Sequence, residues 1–265
     1  IRLIQNTATG IFAACCIALN SPVCPPVYAV STLAQVWQLP NGEVQIPNPL
    51  SAFPSYDLRD PVLLGSGGGG AVFSFLDGEG DRNTAVKISW VRSAASVERE
   101  CTILKVLTKT KTRNVETCLA QETYNPDPRR VMIALEPVVE NTVASVSGVD
   151  GEEAQAKSVE AIVCTLVDML SANVVTTDVQ PLMDKKTGDV LFIDMTEARI
   201  MSDSPTFLDL ALASSFCSEM AVLIPESFAD LASRALLSEL QTAEQTGSRL
   251  SSEIYEVLLS QRVHG

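Results

Sequence analysis

Histidine is almost missing from this chain: its 265 residues contain one, His264, beside the C-terminus. Chain ends fray, so a mechanism that turns on a catalytic imidazole is excluded as a working reading. Basic residues are scarce too, 19 Lys and Arg against 32 Asp and Glu, for a formal net charge of −13. Affinity for nucleic acid rests on cations that neutralise phosphates, so no nucleic-acid partner is expected. The seven cysteines form no C-x-x-C pair and have no histidine nearby. Zinc sites need clustered ligands, so Cys101, Cys118, Cys164 and Cys217 read as small buried side chains in apolar stretches. Charge is absent altogether between Arg2 and Glu43, so the acidity belongs to the rest of the chain. Internal repeats and low-complexity blocks are also lacking.

What remains is a chain built to fold. Its apolar fraction is 46% and its mean hydropathy +0.19, well away from disordered compositions. At ~100–200 residues per domain, the length suits one two-lobed domain or two small ones. The first residue is isoleucine, as in a processed or partial chain. Ile11 to Leu19 is an apolar run of about nine residues, followed by Asn20-Ser21-Pro22 and the small-residue pattern Val27-Tyr28-Ala29. Such a run suits the core of an export signal and falls short of the ~20 residues that span a bilayer. Residues 1–30 therefore read as a signal, targeting or membrane-anchor segment. The protein would then be exported or organellar, in a bacterial envelope or a thylakoid. The alternative is a buried N-terminal helix in a cytoplasmic protein. Residues 31–56, rich in Pro and Asn, read as an extended arm with one hairpin near Glu43–Ile46, and Trp37 as a packing residue.

The stretch from Pro61 to Trp90 is the most informative. It reads as a strand, a glycine-rich turn over Gly65–Gly70, a second strand from Ala71 to Leu76, a polar turn, and a third strand carrying Lys87. Glycines let a backbone approach phosphate oxygens and aim N–H groups at them. A dinucleotide-binding fold would place a helix directly after the glycines, but Ala71-Val72-Phe73-Ser74-Phe75 is strand-like. A P-loop would close on Gly-Lys-Ser/Thr, which does not occur. Ser93 to Leu107 follows as a helix whose inner stripe, Val97, Cys101, Leu104 and Leu107, includes an acid, Glu100; Glu98 projects further off it. Two more strands are expected at Leu119 and at Val131–Leu135, around an Asn125–Pro128 turn. A long helix carries Val159, Ile162, Val163, Leu166, Val167 and Leu170 at helical spacing, which demands a buried face. Asp178 lies on the loop after it, and a turn over Asp184–Asp189 leads to a strand, Val190–Ile193, that ends in Asp194. Three further helices are expected over residues 208–223, 228–240 and 249–259.

The order G-x-G-x-x-G-x-V over Gly65–Val72, then Ala85-Val86-Lys87, Glu100, Asp178 and Asp194, resembles the protein kinase-like superfamily. That resemblance covers about three quarters of the chain. It implies an α+β, two-lobed kinase-like fold, with a small antiparallel β-sheet N-lobe over 57–138 and an abbreviated helical C-lobe over 139–265. It implies ATP and Mg2+ as cofactors, and transfer of the γ-phosphoryl group to a protein hydroxyl of the Ser/Thr type. Gly65, Gly67, Gly70, Val72, Ala85 and Lys87 would hold the nucleotide. The Glu136 carbonyl and the N–H and carbonyl of Val138 would meet adenine, since Pro137 between them has no N–H. Lys87 and Glu100 would pair, Asp194 would bind the metal, and Asp178 would orient the acceptor hydroxyl. The pattern also departs from the family. Gln180 stands for a lysine, Met183 for the asparagine that binds a second magnesium, and Thr196 for the glycine after the metal-binding aspartate. Weak activity is therefore one expectation, and its rivals are a pseudokinase or a structural subunit of a membrane-associated assembly held by residues 1–30.

Overall fold

Strands buried on both faces carry side chains of two distinct cores, and that is how the first half of the described protein is built. The computed structural model describes residues 36–39, 42–45, 59–76, 80, 83–124, 127–246 and 250–260. The segment expected to be a signal or anchor, 1–30, lies outside these residues, and of the 31–56 arm only one antiparallel hairpin is described, β1 (Val36–Leu39) with β2 (Gly42–Gln45). Residues 34–265 group as one compact unit.

Five strands then make an antiparallel sheet: β3 (Arg59–Ser66), β4 (Gly70–Leu76), β5 (Thr84–Ser89), β6 (Thr117–Thr123) and β7 (Val131–Glu136), in spatial order β3-β4-β5-β7-β6. Alternation along β5 divides its side chains. Val86 and Ile88 join Ala71, Phe73, Phe75, Met132 and Ala134 in one cluster, closed by Trp90 and Tyr124. Ala85 joins Ile133 and Leu135 in the other. Lys87 shares the Ala85 face, with Val72 and Ile133 as its cross-strand neighbours. Helix α1 (Ala94–Lys109) packs there and buries Val97, Glu100, Cys101, Ile103, Leu104 and Leu107. Cys101 and Cys118 are joined by a disulfide, Cα atoms 5.3 Å apart, which fastens α1 to β6. The expectation of unpaired cysteines holds only for buried Cys217 and half-buried Cys164 among the described residues. Spacing alone could not reveal the pair, because its partners lie on a helix and a strand 17 residues apart.

The second half is mostly helical. It runs through β8 (Thr142–Val143), α2 (Glu152–Ser171), β9 (Val174–Val175), β10 (Gln180–Asp184), β11 (Val190–Ile193) and β12 (Arg199–Ile200) to α3 (Phe207–Val222), α4 (Ala229–Gln245) and α5 (Ser252–Ser260). The expected long helix is α2, whose first turn carries Glu152 and Glu153, the favourable sign at a helix N-terminus. Its Ile162, Leu166 and Leu170 meet Phe216, Met220, Leu240 and Leu258 in the main core. The β10–β11 hairpin sits on α2 through Gly188 at φ +70, where an added Cβ would lie 2.0 Å from the Ala154 carbonyl oxygen. The Ser158 hydroxyl donates to the Gly188 carbonyl at 2.8 Å. The two-residue strands β8, β9 and β12 have no periodicity to betray them, and sequence reading missed them. The whole is an α+β arrangement of a mostly antiparallel sheet and several helices. Among the described residues, no single helix is long and apolar enough to cross a membrane.

Candidate functional site

Lys87 is delivered by the centre of the sheet to a point where three chain segments meet. Its Nζ donates to both Glu100 oxygens, at 3.0 and 2.8 Å, and to Asp194 Oδ1 at 2.8 Å. The side chains of Lys87 and Glu100 are 5% and 0% exposed, so this is a desolvated cluster rather than a surface pair. Asp194 follows β11 in a left-handed conformation, φ 59 and ψ 66. Three contacts hold that turn: the Asp194 N–H donates to Glu116 Oε1 at 2.8 Å, the Thr196 hydroxyl to Asp194 Oδ1 at 2.6 Å, and the Arg99 guanidinium to the Thr196 carbonyl at 3.1 Å. Glu116 arrives because residues 114–116 run beside β11, with Phe192 N–H donating to the Asn114 carbonyl and Glu116 N–H to the Phe192 carbonyl.

Two carboxyls thus share one ammonium, and a third, Glu116, lies near enough to feel its charge. Burial pushes Glu116 up to about 8, the nearby Glu100 charge adding to it and Lys87 opposing it. Burial also pushes Glu100 up to about 7 against the pull of Lys87. Burial works against charge on Lys87, but the carboxylates of Glu100 and Asp194 outweigh it and hold the ammonium above its ordinary value. Asp194 is also opposed by burial, yet Lys87 and the Thr196 bonds keep its carboxyl below the usual range. Burial thus favours the protonated form of Glu116, while the pairing with each other favours the charged forms of Lys87 and Asp194.

Beside the cluster is a mostly apolar cavity of about 130 Å³. Leu64, Val72, Ala85 and Leu135 line it from the sheet, Leu182, Leu191 and Ile193 from the β10–β11 hairpin, and Pro137, Val138 and Val139 from the connection between them; Lys87, Glu100, Glu116 and Asp194 close it. The apolar lining thus ends on a cluster of one ammonium and three carboxyl groups.

Of the residues anticipated from sequence, Val72, Ala85, Lys87, Glu100, Val138 and Asp194 therefore come together at this cavity. Gly65, Gly67 and Gly70 do not line it. Gly65 is a β3 residue and Gly67 bonds to Gly70 across a tight turn, N–H to carbonyl at 2.9 Å. Gly70 is glycine for sheet packing, since a Cβ there would lie 2.1 Å from the Ile88 carbonyl oxygen. The connection after β7 also differs from expectation: the Val138 N–H is already committed to the Asn83 carbonyl at 3.1 Å, and Glu136 turns its side chain to the Thr84 hydroxyl at 3.0 Å. Asp178 is exposed: its carboxylate accepts from Gln180 Nε2 at 2.7 Å and its backbone carbonyl from the Thr176 hydroxyl at 3.1 Å, both outside the Lys87 cluster. Met183 pairs with Val190 and Val143 in the strands and is fully buried, a core side chain rather than one facing a metal site.

Glu116 was missed by sequence reading, as were the Leu182 and Leu191 wall and the Arg99 and Thr196 contacts. Glu116 stands alone in a polar turn, where only the three-dimensional run beside β11 explains it. Leu182 could have been found from the alternation along β10. No group of three metal-ligating side chains occurs among the described residues. No known family model matches the chain, and no curated protein matches it.

Proposed function

We propose that this chain is a divergent member of the protein kinase-like superfamily, a two-lobed domain that binds ATP and transfers its γ-phosphoryl group to a protein hydroxyl weakly or not at all. The observation that carries the reading is Lys87 bonded at once to Glu100 on α1 and Asp194 after β11. A buried lysine tied to two elements far apart in sequence is costly unless its charge is used, and the apolar cavity ends on it. In this reading Val72, Ala85, Leu182 and Leu191 enclose the base, and Lys87 steadies the phosphates. Asp194 would hold Mg2+, which neutralises charge on the phosphate oxygens. Asp178 would orient the acceptor hydroxyl. Thermal unfolding with millimolar Mg-ATP tests this: a ligand at a hundredfold excess over Kd stabilises by about 2.7 kcal/mol. No shift in the unmodified chain would sink the proposal, as would an equal shift in Lys87→Ala.

One observation favours a catalytically silent version. The Asp178 carboxylate bonds only to nearby Gln180 among the described residues, and Met183 is spent on the core. A phosphate-release assay on a chain already known to bind ATP separates the two, with turnover of ~1–100 per second marking an ordinary kinase. Membrane association, if tested, belongs to residues 1–30, and a variant lacking them should leave nucleotide binding intact.

A further inference from the structure

The glycine turn between β3 and β4 is fastened from outside. Trp90, just past β5, donates its backbone N–H to the Gly69 carbonyl at 3.1 Å and its indole Nε1–H to the Gly67 carbonyl at 2.7 Å. The Ser93 hydroxyl donates to the same Gly69 carbonyl. The indole is itself gripped, being 5% exposed in the outer core of the sheet with the Arg130 guanidinium 5.8 Å from its centroid. The fastened turn lies down on the lysine: a Cβ added to Gly69 would be 3.4 Å from Lys87 Cε, 3.7 Å from its Nζ and 3.7 Å from Thr196 Cγ2. Adding one C–C bond leaves the Gly69 Cα about 5 Å from Nζ at most. A phosphate oxygen placed between that Cα and Nζ needs roughly 6 Å, one van der Waals contact plus one hydrogen bond. The cavity agrees, because it ends at Lys87 without reaching beneath Gly65–Gly70.

We infer that Trp90 and Ser93 latch the glycine turn shut over Lys87, so that the cleft of this protein accepts a nucleoside ring directly and its polyphosphate only after the latch opens. The inference rests on the nucleotide reading above and adds a selection to it. Two residues outside the cleft set which part of the ligand is favoured. A ligand that needs a minor conformation loses apparent affinity in proportion to that conformation's population, and a ligand that fits the closed form does not. Releasing the latch therefore raises affinity for the phosphorylated ligand alone. Trp90→Phe removes the indole donor while keeping a ring in the core, and Ser93→Ala removes the second donor. The Trp90 backbone bond survives in both, so release is partial.

The test titrates adenosine and Mg-ATP against the full chain and both variants, and follows hydrogen exchange at Gly68–Gly70 without ligand. The expected result is faster exchange in both variants, with Mg-ATP affinity raised roughly threefold to tenfold, the scale of one net hydrogen bond, and adenosine affinity unchanged. Unchanged or weakened Mg-ATP binding alongside faster exchange overturns the selection and leaves the nucleotide reading standing. Unchanged exchange in both variants overturns the latch itself. If neither ligand binds any of the three proteins, the nucleotide reading falls and the selection with it.

Discussion

Around Lys87, polar groups reach across the fold: the lysine comes from β5, Glu100 from α1, Glu116 from the segment beside β11, and Asp194 from the turn after it. Around Asp178 the partners are two residues away, with Gln180 bonding its carboxylate and the Thr176 hydroxyl bonding its backbone N–H at 3.2 Å. A long-range buried network must be correct in all its parts or it destabilises the fold, whereas a local exposed one can change at little cost. The first region is thus bound to the architecture in a way the second is not. A protein that kept a ligand and let its chemistry decline would hold on to the first and let the second drift.

The sharpest way to break the comparison is to remove the single cation of the buried cluster. Lys87→Ala leaves Glu100 and Asp194 facing each other without compensation, and losing one partner of a buried ion pair costs about 3–5 kcal/mol. Thermal unfolding should fall by on the order of 10 °C for a protein of this size. A loss below ~1 kcal/mol would mean the cluster is solvated, and the contrast with Asp178 would disappear.

Next comes Met183, where spelling and structure disagree. By resemblance, Met183→Asn restores a metal ligand. In the fold it puts an amide into the core opposite Val190, at a fully buried position. Lost apolar burial and an unpaired polar group together should cost about 2–4 kcal/mol, with no gain in turnover. Raised turnover in a well-folded Met183→Asn protein would show that the side chain faces the site.

Lys87 and Glu100 were legible because periodicities of two and of three to four put both on inner faces of adjacent elements, and an acid on a packing stripe asks for a cation. Asp194 was legible as a strand-end acid. The Cys101–Cys118 bond, the Glu116 contact and the Trp90 fastening were not, since each joins residues whose meeting depends on how sheet and helix pack. The core role of Met183 was not legible for a related reason. Counting residues from Asp178 set it only against a family asparagine, while the start of β10 at Gln180 turns the chain into a strand whose alternate side chains enter the core.

A smaller effect tests the proton inventory of the cluster. With Glu116 pushed up to about 8 and Glu100 to about 7, the folded protein holds protons that the unfolded chain releases above about 4.5. Bound protons are then fewer in the unfolded state, so stability falls as pH rises from about 5 to 8, with a slope of at most ~1.4 kcal/mol per pH unit for each group. Glu116→Gln can still accept from the Asp194 N–H and never ionises. It should flatten the slope without abolishing it, because Glu100 remains, and should melt above the unmodified protein at pH 8. Parallel curves for the two proteins would show that Glu116 is ionised throughout.

The smallest expected change is at Asp178, and it carries the comparison furthest. Asp178→Asn leaves an exposed side chain of nearly the same shape, able to bond Gln180 through its amide oxygen. Surface substitutions of this kind usually fall within about 0.5 kcal/mol, so the melting curve should barely move. The shift produced by Mg-ATP should also persist, because Asp178 touches no member of the Lys87 cluster. Asp194→Asn, by contrast, weakens the pairing to Lys87 and should abolish the metal-dependent part of nucleotide binding. On the proposed reading, phosphoryl transfer needs both aspartates, so a phosphate-release assay should read zero for either variant while only Asp178→Asn keeps its metal-dependent ligand binding. If Asp178→Asn also removed the Mg-ATP shift, the loop would belong to the binding network, and the division between an architecture-bound half of the site and a free one would be wrong.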